Sequence, residues 1–324
     1  MRLISAVFRA CLVLAPALVP ATVLAQVYPD RPIRMLVGYP AGGSVDASAR
    51  VLAERLGPLL GQPVLIENRA GATGNIAADA LVKAAPDGYT IYMGTSINAV
   101  SVSLFKNLSY DPVRDFAPVS KVVVSPSVLV LHPSVPATSV RELVAHAKAN
   151  PGKLTYATTG AGSSPHLCAE LFSTLAGIKM LHVPYKGAAP ATTDLLGGQV
   201  ALTFSNPTSV IPHIATGRIR GLAVTGARRF SQLPALPTMI EAGYPDFDLT
   251  AWYGVMVPRG TPPEIINRLN GAVVKVLQVP AVRELLEKQG LEPQASTPAE
   301  LAKELRDDVA KFAKLLKDAG VQPE

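Results

Sequence analysis

Short β-rich runs alternate with helical patterns along most of this chain, and this alternation restricts the possible fold more than any other feature. The runs IRMLVGY (33–39), PVLIEN (63–68) and YTIYMGT (89–95) are apolar and bounded by Gly, Pro or Asp-Gly. Between the first two, residues 44–60 carry leucine and valine at helical spacing. The alternation resumes with LTYAT (154–158), MLHVPY (180–185), VALTF (200–204) and IRGLAVT (219–225). This order is typical of an α/β fold with a largely parallel sheet.

Residues 1–25 have the layout of a secretory signal peptide. Arg2 and Arg9 precede an apolar run from Cys11 to Leu24, and the run ends in small residues of the kind that a signal peptidase reads. A lipid anchor at the cysteine is the alternative, but Arg9 stands just before it and most of the apolar run follows it. We therefore expect cleavage after this segment and a secreted, soluble mature chain.

Composition excludes several classes of protein. The chain has two cysteines, and loss of the signal peptide would leave Cys168 alone, so no intrachain disulfide is expected. A chain of 324 residues is long enough to divide into two domains, each with its own core. The formal net charge is +6, but the basic residues are scattered, whereas nucleic-acid binding favours a basic stripe. We expect no nucleic-acid partner.

Helix starts and one scaffold helix can be read directly from the sequence. The capping-box pattern, a hydroxyl residue followed three positions later by Glu, occurs at Ser139–Glu142, Thr261–Glu264 and Thr297–Glu300. Residues 300–318 carry charges of both signs together with apolar residues at helical spacing, which predicts a helix with one solvated face. Its predicted inward residues are Leu301, Leu305, Val309, Phe312 and Leu315 or Leu316.

Three loops are predicted at the carboxyl ends of strands, where open α/β sheets bind ligands. They are GYPAGGSVD (38–46), GTSIN (94–98) and TTGAGSSPH (158–166), all rich in Gly, Ser or Thr and free of Lys and Arg. Backbone N–H groups, hydroxyl groups and the positive end of a helix can together hold an anion without a cationic side chain. Net binding of about 8 kcal/mol, for micromolar affinity, requires several such loops to act together. We therefore predict an anion site formed by facing loops.

Each loop also has a purely structural interpretation. The serines could be ordinary helix caps and the glycines ordinary turn residues. Asp46 could cap or support its loop instead of contacting a ligand. For the pair Gly42 and Gly43, we expect that backbone groups approach the anion and that Gly43 adopts a positive φ, which a branched side chain would disfavour.

The order of motifs resembles the receptors of tripartite tricarboxylate transporters, also called Bug receptors. The similar segments include YPDRPIRMLVGYPAGGSVDASAR, GQPVLIENRAGATGN, PDGYTIYMGT, YDPVRDFAPVS, HVPYKGAAPATTDLLGGQVALTF and GTPPEIINRLN, and they span the whole mature chain. The resemblance implies a type II periplasmic binding protein, or Venus flytrap, with two α/β domains around a cleft. It also implies that one ligand carboxylate is held between the loop at 39–46 and the facing loop at 158–166, partly through ordered waters.

The resemblance implies a periplasmic solute-binding receptor that captures an organic, amino or aromatic acid. We expect domain 1 to comprise residues 27–125 and 226–324, and domain 2 to comprise residues 126–225. The predicted ligand-binding residues are Tyr39, Ala41, Gly42, Gly43, Ser44, Asp46, Thr95, Ser96, Thr158, Gly160, Gly162, Ser163, Ser164, His166, Tyr185, Gly187 and Asp194. The expected partners are the membrane permease subunits of a tripartite transporter, with a membrane sensor kinase as the alternative, and the chain is expected to be a monomer.

Catalytic constellations are missing from the sequence. It contains no G-x-S-x-G elbow and no phosphate-binding lysine motif, and GAGSSP (160–165) has Pro165 where a dinucleotide fingerprint needs its third glycine. His166 and Cys168 are two residues apart at a helix start and so point to different faces. The five histidines show no metal-ligand spacing. We expect a chain that is not an enzyme and binds no cofactor or metal; a secreted hydrolase is the remaining alternative.

Overall fold

The computed structural model describes residues 28–160, 162–247, 249–318 and 320–323. The predicted signal peptide, residues 1–25, lies outside the described residues. All of the predicted ligand-binding residues lie within them.

Strands and helices alternate through the described chain as the sequence predicts. The strands are β1 (Ile33–Val37), β2 (Val64–Asn68), β3 (Thr90–Thr95), β4 (Phe116–Ser125), β5 (Val128–Leu131), β6 (Thr155–Thr158), β7 (Leu181–Pro184), β8 (Leu202–Ser205), β9 (Arg220–Val224), β10 (Ala251–Pro258) and β11 (Glu292–Pro293). The helices are α1 (Ser44–Leu60), α2 (Asn75–Val82), α3 (Ile97–Leu104), α4 (Pro112–Asp115), α5 (Val140–Ala149), α6 (Ser164–Ala176), α7 (Ala188–Leu196), α8 (Pro207–Ala215), α9 (Pro263–Leu277), α10 (Pro280–Glu287) and α11 (Pro298–Asp318). A 3-10 turn, Ala72–Gly74, precedes α2.

The strands form two sheets with related topologies. The first has the order β11-β4-β10-β3-β1-β2, and the second has the order β7-β6-β8-β5-β9. In the first, β1 is parallel to β2 and β3, while β10 is antiparallel to β3 and β4. In the second, β6 is parallel to β7 and β8, while β5 is antiparallel to β8 and β9. The prediction of parallel strands is therefore correct for three neighbours in each sheet, but a reversed strand is inserted beside them.

The chain passes between the sheets twice. It leaves the first sheet after Ser125 and enters the second at Val128, and it leaves the second after Val224 and returns at Ala251. The two crossing segments are hydrogen bonded, because the Ser127 N–H donates to Thr225 Oγ1 at 2.9 Å. The second sheet is thus one continuous segment inserted between the two parts of the first.

Helices pack on both faces of the first sheet because each presents an apolar stripe. Leu52 and Leu56 of α1 are 1% and 0% exposed, and burial of each such side chain contributes about 1.5–3 kcal/mol. On α11, Leu301, Leu305, Phe312, Leu315 and Leu316 are buried and Val309 packs partly buried against the same core. The predicted inward face of this last helix is confirmed.

The predicted capping boxes have three different outcomes. At α11, Thr297 and Glu300 make the full reciprocal pair of side-chain to backbone bonds. At α5, the Ser139 hydroxyl caps the helix, while the Glu142 carboxylate accepts from the N–H of the preceding threonine, so only half of the box forms. The prediction of a capping box at Thr261–Glu264 is wrong. The Thr261 hydroxyl donates to the Pro258 carbonyl at 2.8 Å, and Pro262, not Thr261, is the N-cap of α9.

Candidate functional site

A cavity of about 210 Å³ lies where the carboxyl ends of the second sheet meet strand β10 of the first. It is lined by Ser125, Ser127, Thr158, Thr159, Ser164, Pro165, Ala188, Ala191, Thr192, Thr203, Phe204, Ser205, Asn206, Ser209, Ala251 and Tyr253. Most of these side chains carry a hydroxyl or amide group, and none of them is an acid or a base of the Asp, Glu, Lys, Arg or His type. The cavity is therefore polar but uncharged.

The first predicted loop, after β1, turns through Gly42. This residue has a φ of +86°, and its N–H donates to Asp46 Oδ2 at 2.8 Å. Gly43 is the N-cap of α1 with φ −74° and ψ 167°, and it has no side-chain cap bond. The expectation of a positive φ at Gly43 is wrong, because the chain makes its left-handed turn one residue earlier and is extended at the helix start.

Asp46 is a supporting residue of this loop in the structure. Its side chain is buried, and besides Gly42 it accepts bonds from Arg50 Nε at 2.9 Å and Asn68 Nδ2 at 2.8 Å. Burial acts to raise the pKa of this carboxyl group, but the bonds from Arg50, Gly42 and Asn68 together hold the pKa below its ordinary value. Asn68 also donates to the Tyr39 carbonyl at 3.0 Å. The carboxylate is thus ionised and occupied by bonds to its own chain.

The second predicted loop, after β6, is built in a similar way. Gly160 and Gly162 have φ values of +122° and +70°, and the Gly162 N–H donates to His166 Nδ1 at 3.0 Å. The Ser163 hydroxyl donates to the Gly160 carbonyl at 2.7 Å, so Ser163 is the N-cap of α6 without making a side-chain cap bond. A Cβ atom on Gly162 would lie 2.4 Å from Leu104 Cδ1. This loop therefore packs closely on α3, the helix that follows β3 of the first sheet.

Hydroxyl groups connect the first loop to the cavity. Ser44 Oγ lies 2.9 Å from the hydroxyl of Tyr253, a cavity-lining residue of β10. The Tyr39 hydroxyl lies 3.2 Å from Thr95 Oγ1 and donates to the Thr73 carbonyl. Burial raises the pKa of Tyr39 to about 12 and also raises the pKa of Tyr253, so both hydroxyl groups stay neutral at physiological pH.

The predicted residues fall into three groups. Thr158 and Ser164 line the cavity. Gly187, with a φ of +113°, is the N-cap of α7, and the cavity-lining Ala188 follows it directly. Most of the remaining predicted residues form hydrogen bonds within the protein. The predicted residues that do not line the cavity are Tyr39, Ala41, Gly42, Gly43, Ser44, Asp46, Thr95, Ser96, Gly160, Gly162, Ser163, His166, Tyr185 and Asp194.

Several of these internal bonds are well defined. The Tyr185 hydroxyl donates to Asp194 Oδ2 at 2.7 Å. Thr95 and Ser96 are buried, and the Ser96 N–H donates to the Trp252 carbonyl at 3.0 Å. Ala41 is exposed at the tip of the first loop. These residues therefore lie outside the cavity lining.

Sequence reasoning missed the contribution of two segments. The loop SNPTS (205–209) leaves β8 at the same sheet edge and supplies Ser205, Asn206 and Ser209. Its position after a strand was the available signal, but it contains no glycine. Tyr253 lies inside strand β10, 209 residues from its partner Ser44, and no local pattern marks it.

The helix starts around the cavity supply N–H donors. The N-caps of α6 and α7, Ser163 and Gly187, make no side-chain cap bond, whereas Asn206 caps α8 through the Thr208 N–H. An uncapped helix start near a cavity leaves backbone N–H groups for an anion.

Over the described part of the chain, no group of three or more His, Cys, Asp or Glu residues is arranged to hold a metal ion.

Comparisons with known proteins agree with this architecture. Residues 48–321 match the model of the tripartite tricarboxylate transporter family receptor. The protein BugT of Bordetella pertussis is 42% identical over 311 residues, which cover 95% of each chain. The structure of R. palustris Rpa4515 with adipate is 38% identical, with a TM-score of 0.77 over 92% of this chain and 100% of that one. MatC from Rhodopseudomonas palustris with bound malate is 31% identical, with a TM-score of 0.72 over 89% and 100% of the two chains.

The two sheets, the single insertion between them and the cavity at their junction have the architecture of a type II periplasmic binding protein. The family match covers most of the chain and includes the loop at 158–166, whereas the loop at 38–46 lies just before its first matched residue. The chain belongs to the receptor family of the tripartite tricarboxylate transporters.

Proposed function

We propose that this chain is a periplasmic receptor that captures a small carboxylate and delivers it to a tripartite tricarboxylate-type transporter. The observation that carries the proposal is the cavity of about 210 Å³, whose walls offer hydroxyl and amide groups without a charged side chain. Such donors stabilise a small anion through charge-assisted hydrogen bonds. The relatives whose structures contain adipate and malate support a carboxylate as that anion.

The donors around the cavity are sufficient in number for useful affinity. Each hydrogen bond to a charged group contributes about 1.5–3 kcal/mol, and a partly buried helix start adds up to about 2 kcal/mol. Four such bonds from two loops would reach the roughly 8 kcal/mol that micromolar binding requires. We assign direct contacts to Thr158 and Ser164, which line the cavity, and supporting roles to Asp46 and His166.

The two sheets are proposed to be two domains that close on the ligand. Residues 27–125 and 226–324 would form the first domain and residues 126–225 the second. The crossings after Ser125 and Val224 support this division. A site that combines residues from both sheets, such as Thr158 and Tyr253, binds most tightly when the halves approach each other.

The proposed function also includes export of the chain, a membrane partner and release of the ligand. Residues 1–25 are proposed to direct export to the periplasm, where the receptor would act as a monomer. Over the described residues, no helix combines the length and the apolar character that a membrane crossing requires. The family model describes transporter receptors, which favours permease subunits over a sensor kinase as the partner. The chain is proposed to release its ligand chemically unchanged, which mass spectrometry of released ligand would test against hydrolysis.

Calorimetry with matched acids and amides tests the proposal. Adipate and malate would be compared with adipamide and malamide, whose amide groups keep the shape but lose the charge and add donors. We expect saturable binding of at least one acid and binding at least about tenfold weaker for its amide, a difference of about 1.4 kcal/mol. Equal affinity for an acid and its amide would refute carboxylate recognition.

A further inference from the structure

The loop at 158–166, which lines the cavity, and the loop at 38–46, which lies beside it, share one local design. Asp46 and His166 are each the third residue of a helix, and each accepts the N–H of the glycine four positions earlier. Both glycines, Gly42 and Gly162, have positive φ values. The sequences AGGSVD (41–46) and AGSSPH (161–166) show the same layout. A side chain that reaches back to the N–H ahead of the helix fixes the entry of the chain, as in a capping box.

The two supporting groups differ in their chemistry. The first is a carboxylate that accepts bonds in its ionised form. The second is an imidazole, which accepts a bond at Nδ1 only while that nitrogen carries no proton. The first loop is therefore held by an anion, and the second loop is held by a neutral ring that can titrate.

His166 lies in a buried stack of rings. Its side chain is 5% exposed, and its ring is 4.4 Å from the ring of His182 on β7 and 6.4 Å from that of Tyr156 on β6. Its Nε2 is 3.8 Å from Glu170 Oε1, and the Tyr156 hydroxyl donates to the same carboxylate oxygen. With Nδ1 facing the Gly162 N–H, the ring carries its proton on Nε2, directed towards Glu170.

The neighbouring imidazole holds the other end of the same loop. His182 Nε2 lies 2.6 Å from Thr158 Oγ1, and this hydroxyl accepts the Gly160 N–H at 3.2 Å. Protonated His182 could still donate to Thr158, so its bond tolerates a charge. Protonated His166 would present an N–H to the Gly162 N–H, and two like donors cannot bond. His166 is therefore the group whose protonation breaks a loop contact.

We propose that His166 is a positioning residue that holds the loop at 158–163 in its anion-binding form only while its ring is neutral, so that acidification opens the loop and releases the carboxylate. This inference rests on the proposed function, because it takes that loop as part of the carboxylate site. His166 does not itself contact the ligand in this assignment, since its Nδ1 is already bonded to Gly162.

The direction of the effect follows from the groups around the ring. Burial, followed by repulsion from His182, lowers the pKa of His166 to about 4, although the Glu170 carboxylate lies nearby. An exposed histidine titrates near 6.5. The open loop would expose the His166 ring. Between about pH 4 and about pH 6.5, the exposed ring would therefore bind a proton more readily than the buried ring of the closed loop. Proton linkage then disfavours the closed loop progressively as the pH falls from about 6.5 to about 4.

Two substitutions separate this role from simple packing. His166→Asn places an amide oxygen close to the position of Nδ1, where it can accept the Gly162 N–H without titrating. His166→Leu fills similar space but has no acceptor. We expect His166→Leu to bind adipate at least about tenfold more weakly than wild type near neutral pH, and His166→Asn to recover most of that loss.

The pH profile provides the second measurement. Between about pH 7.5 and about pH 4.5, wild type should lose roughly tenfold more affinity for adipate than His166→Asn does, because only wild type has a titrating ring at this position. Adipate itself also titrates in this range, but it does so equally for both proteins and therefore cancels in the comparison. Identical profiles for the two proteins, or wild-type affinity in His166→Leu, would overturn the proposal.

A measurement without ligand keeps this inference separate from the proposed function. Long-range ¹H–¹⁵N spectra of the imidazole should show an unprotonated Nδ1 on His166 at neutral pH. Amide exchange at Gly162 should be slow in wild type and His166→Asn, and fast in His166→Leu. If adipate does not bind wild type, the choice of ligand class fails, while a protonated Nδ1 or fast exchange at Gly162 in wild type would refute the positioning role by itself.

Discussion

Replacement of Asp46 by alanine tests how the first loop is held in place. The carboxylate is buried and accepts three hydrogen bonds, from the Gly42 N–H, Arg50 Nε and Asn68 Nδ2, at 2.8–2.9 Å. Asp46→Ala removes all three acceptor contacts at once and leaves the three donors in the protein. Arg50→Ala is the matched control, since it removes one of the partners and leaves the carboxylate bonded to the other two.

The three bonds are not equally valuable. The Arg50 side chain is 53% exposed and pairs with Asp46 at i,i+4, so water can replace its partner and the pair adds little to stability. The bonds from Gly42 and Asn68 are partly buried and charge-assisted, which places each at the lower end of about 1.5–3 kcal/mol. We therefore expect Asp46→Ala to lower the free energy of unfolding by about 2–4 kcal/mol, and Arg50→Ala to lower it much less.

Urea unfolding of the two variants measures this difference, and its pH dependence identifies the charge. The folded-state pKa of Asp46 lies below its ordinary value of 3.8, so its stabilisation is present above that value and is lost as the pH falls through the lower folded pKa. The stability gap between wild type and Asp46→Ala should therefore narrow in acid. Equal destabilisation by Asp46→Ala and Arg50→Ala, or a gap that does not change in acid, would refute the argument.

Three further predictions concern the loop glycines, the cavity tyrosine and closure. Gly42→Ala should lower the free energy of unfolding in urea by about 1–2 kcal/mol, because the φ of +86° strains the backbone of any residue with a side chain. Gly43→Ala, at a φ of −74°, should leave the free energy of unfolding nearly unchanged, and equal losses for the two variants would contradict this argument. Tyr253→Phe removes the bond to Ser44 and keeps the ring, so calorimetry should show severalfold weaker adipate binding, and unchanged affinity would exclude this hydroxyl from the site. Small-angle scattering should show a smaller radius of gyration with saturating adipate, and an unchanged radius would argue against domain closure.

Local features of the sequence identified most of the framework. The strands at 33–37, 64–68 and 90–95 and the long first helix follow from β-rich runs, helical periodicity and turn residues, all of which act over a few neighbouring positions. The rule that ligands bind at the carboxyl ends of strands then placed two of the predicted loops, 38–46 and 158–166, around one cavity or directly beside it.

The roles of individual residues depended on their partners in space. The family resemblance implied that Asp46, His166 and Asp194 contribute to the ligand site, with a supporting role as the alternative for Asp46. In the structure each of the three is bonded to another group of the protein. A sequence shows that a residue can accept a hydrogen bond, but the donor is chosen by the loop conformation. The same holds for Gly42 and Gly43, where the geometry of the turn decided which glycine takes the positive φ.

The sequence by itself determined the alternation of elements, the inward face of α11 and the glycine-rich loops, because periodicity and turn chemistry are local properties. Only the tertiary structure decided that β10 returns antiparallel beside β3 and brings Tyr253 to Ser44 across 209 residues. It also decided that His182 stacks on His166, since this contact depends on the parallel pairing of β7 with β6. Strand pairing joins distant segments through backbone hydrogen bonds that are common to all residue types, so the side chains it brings together carry no local signature.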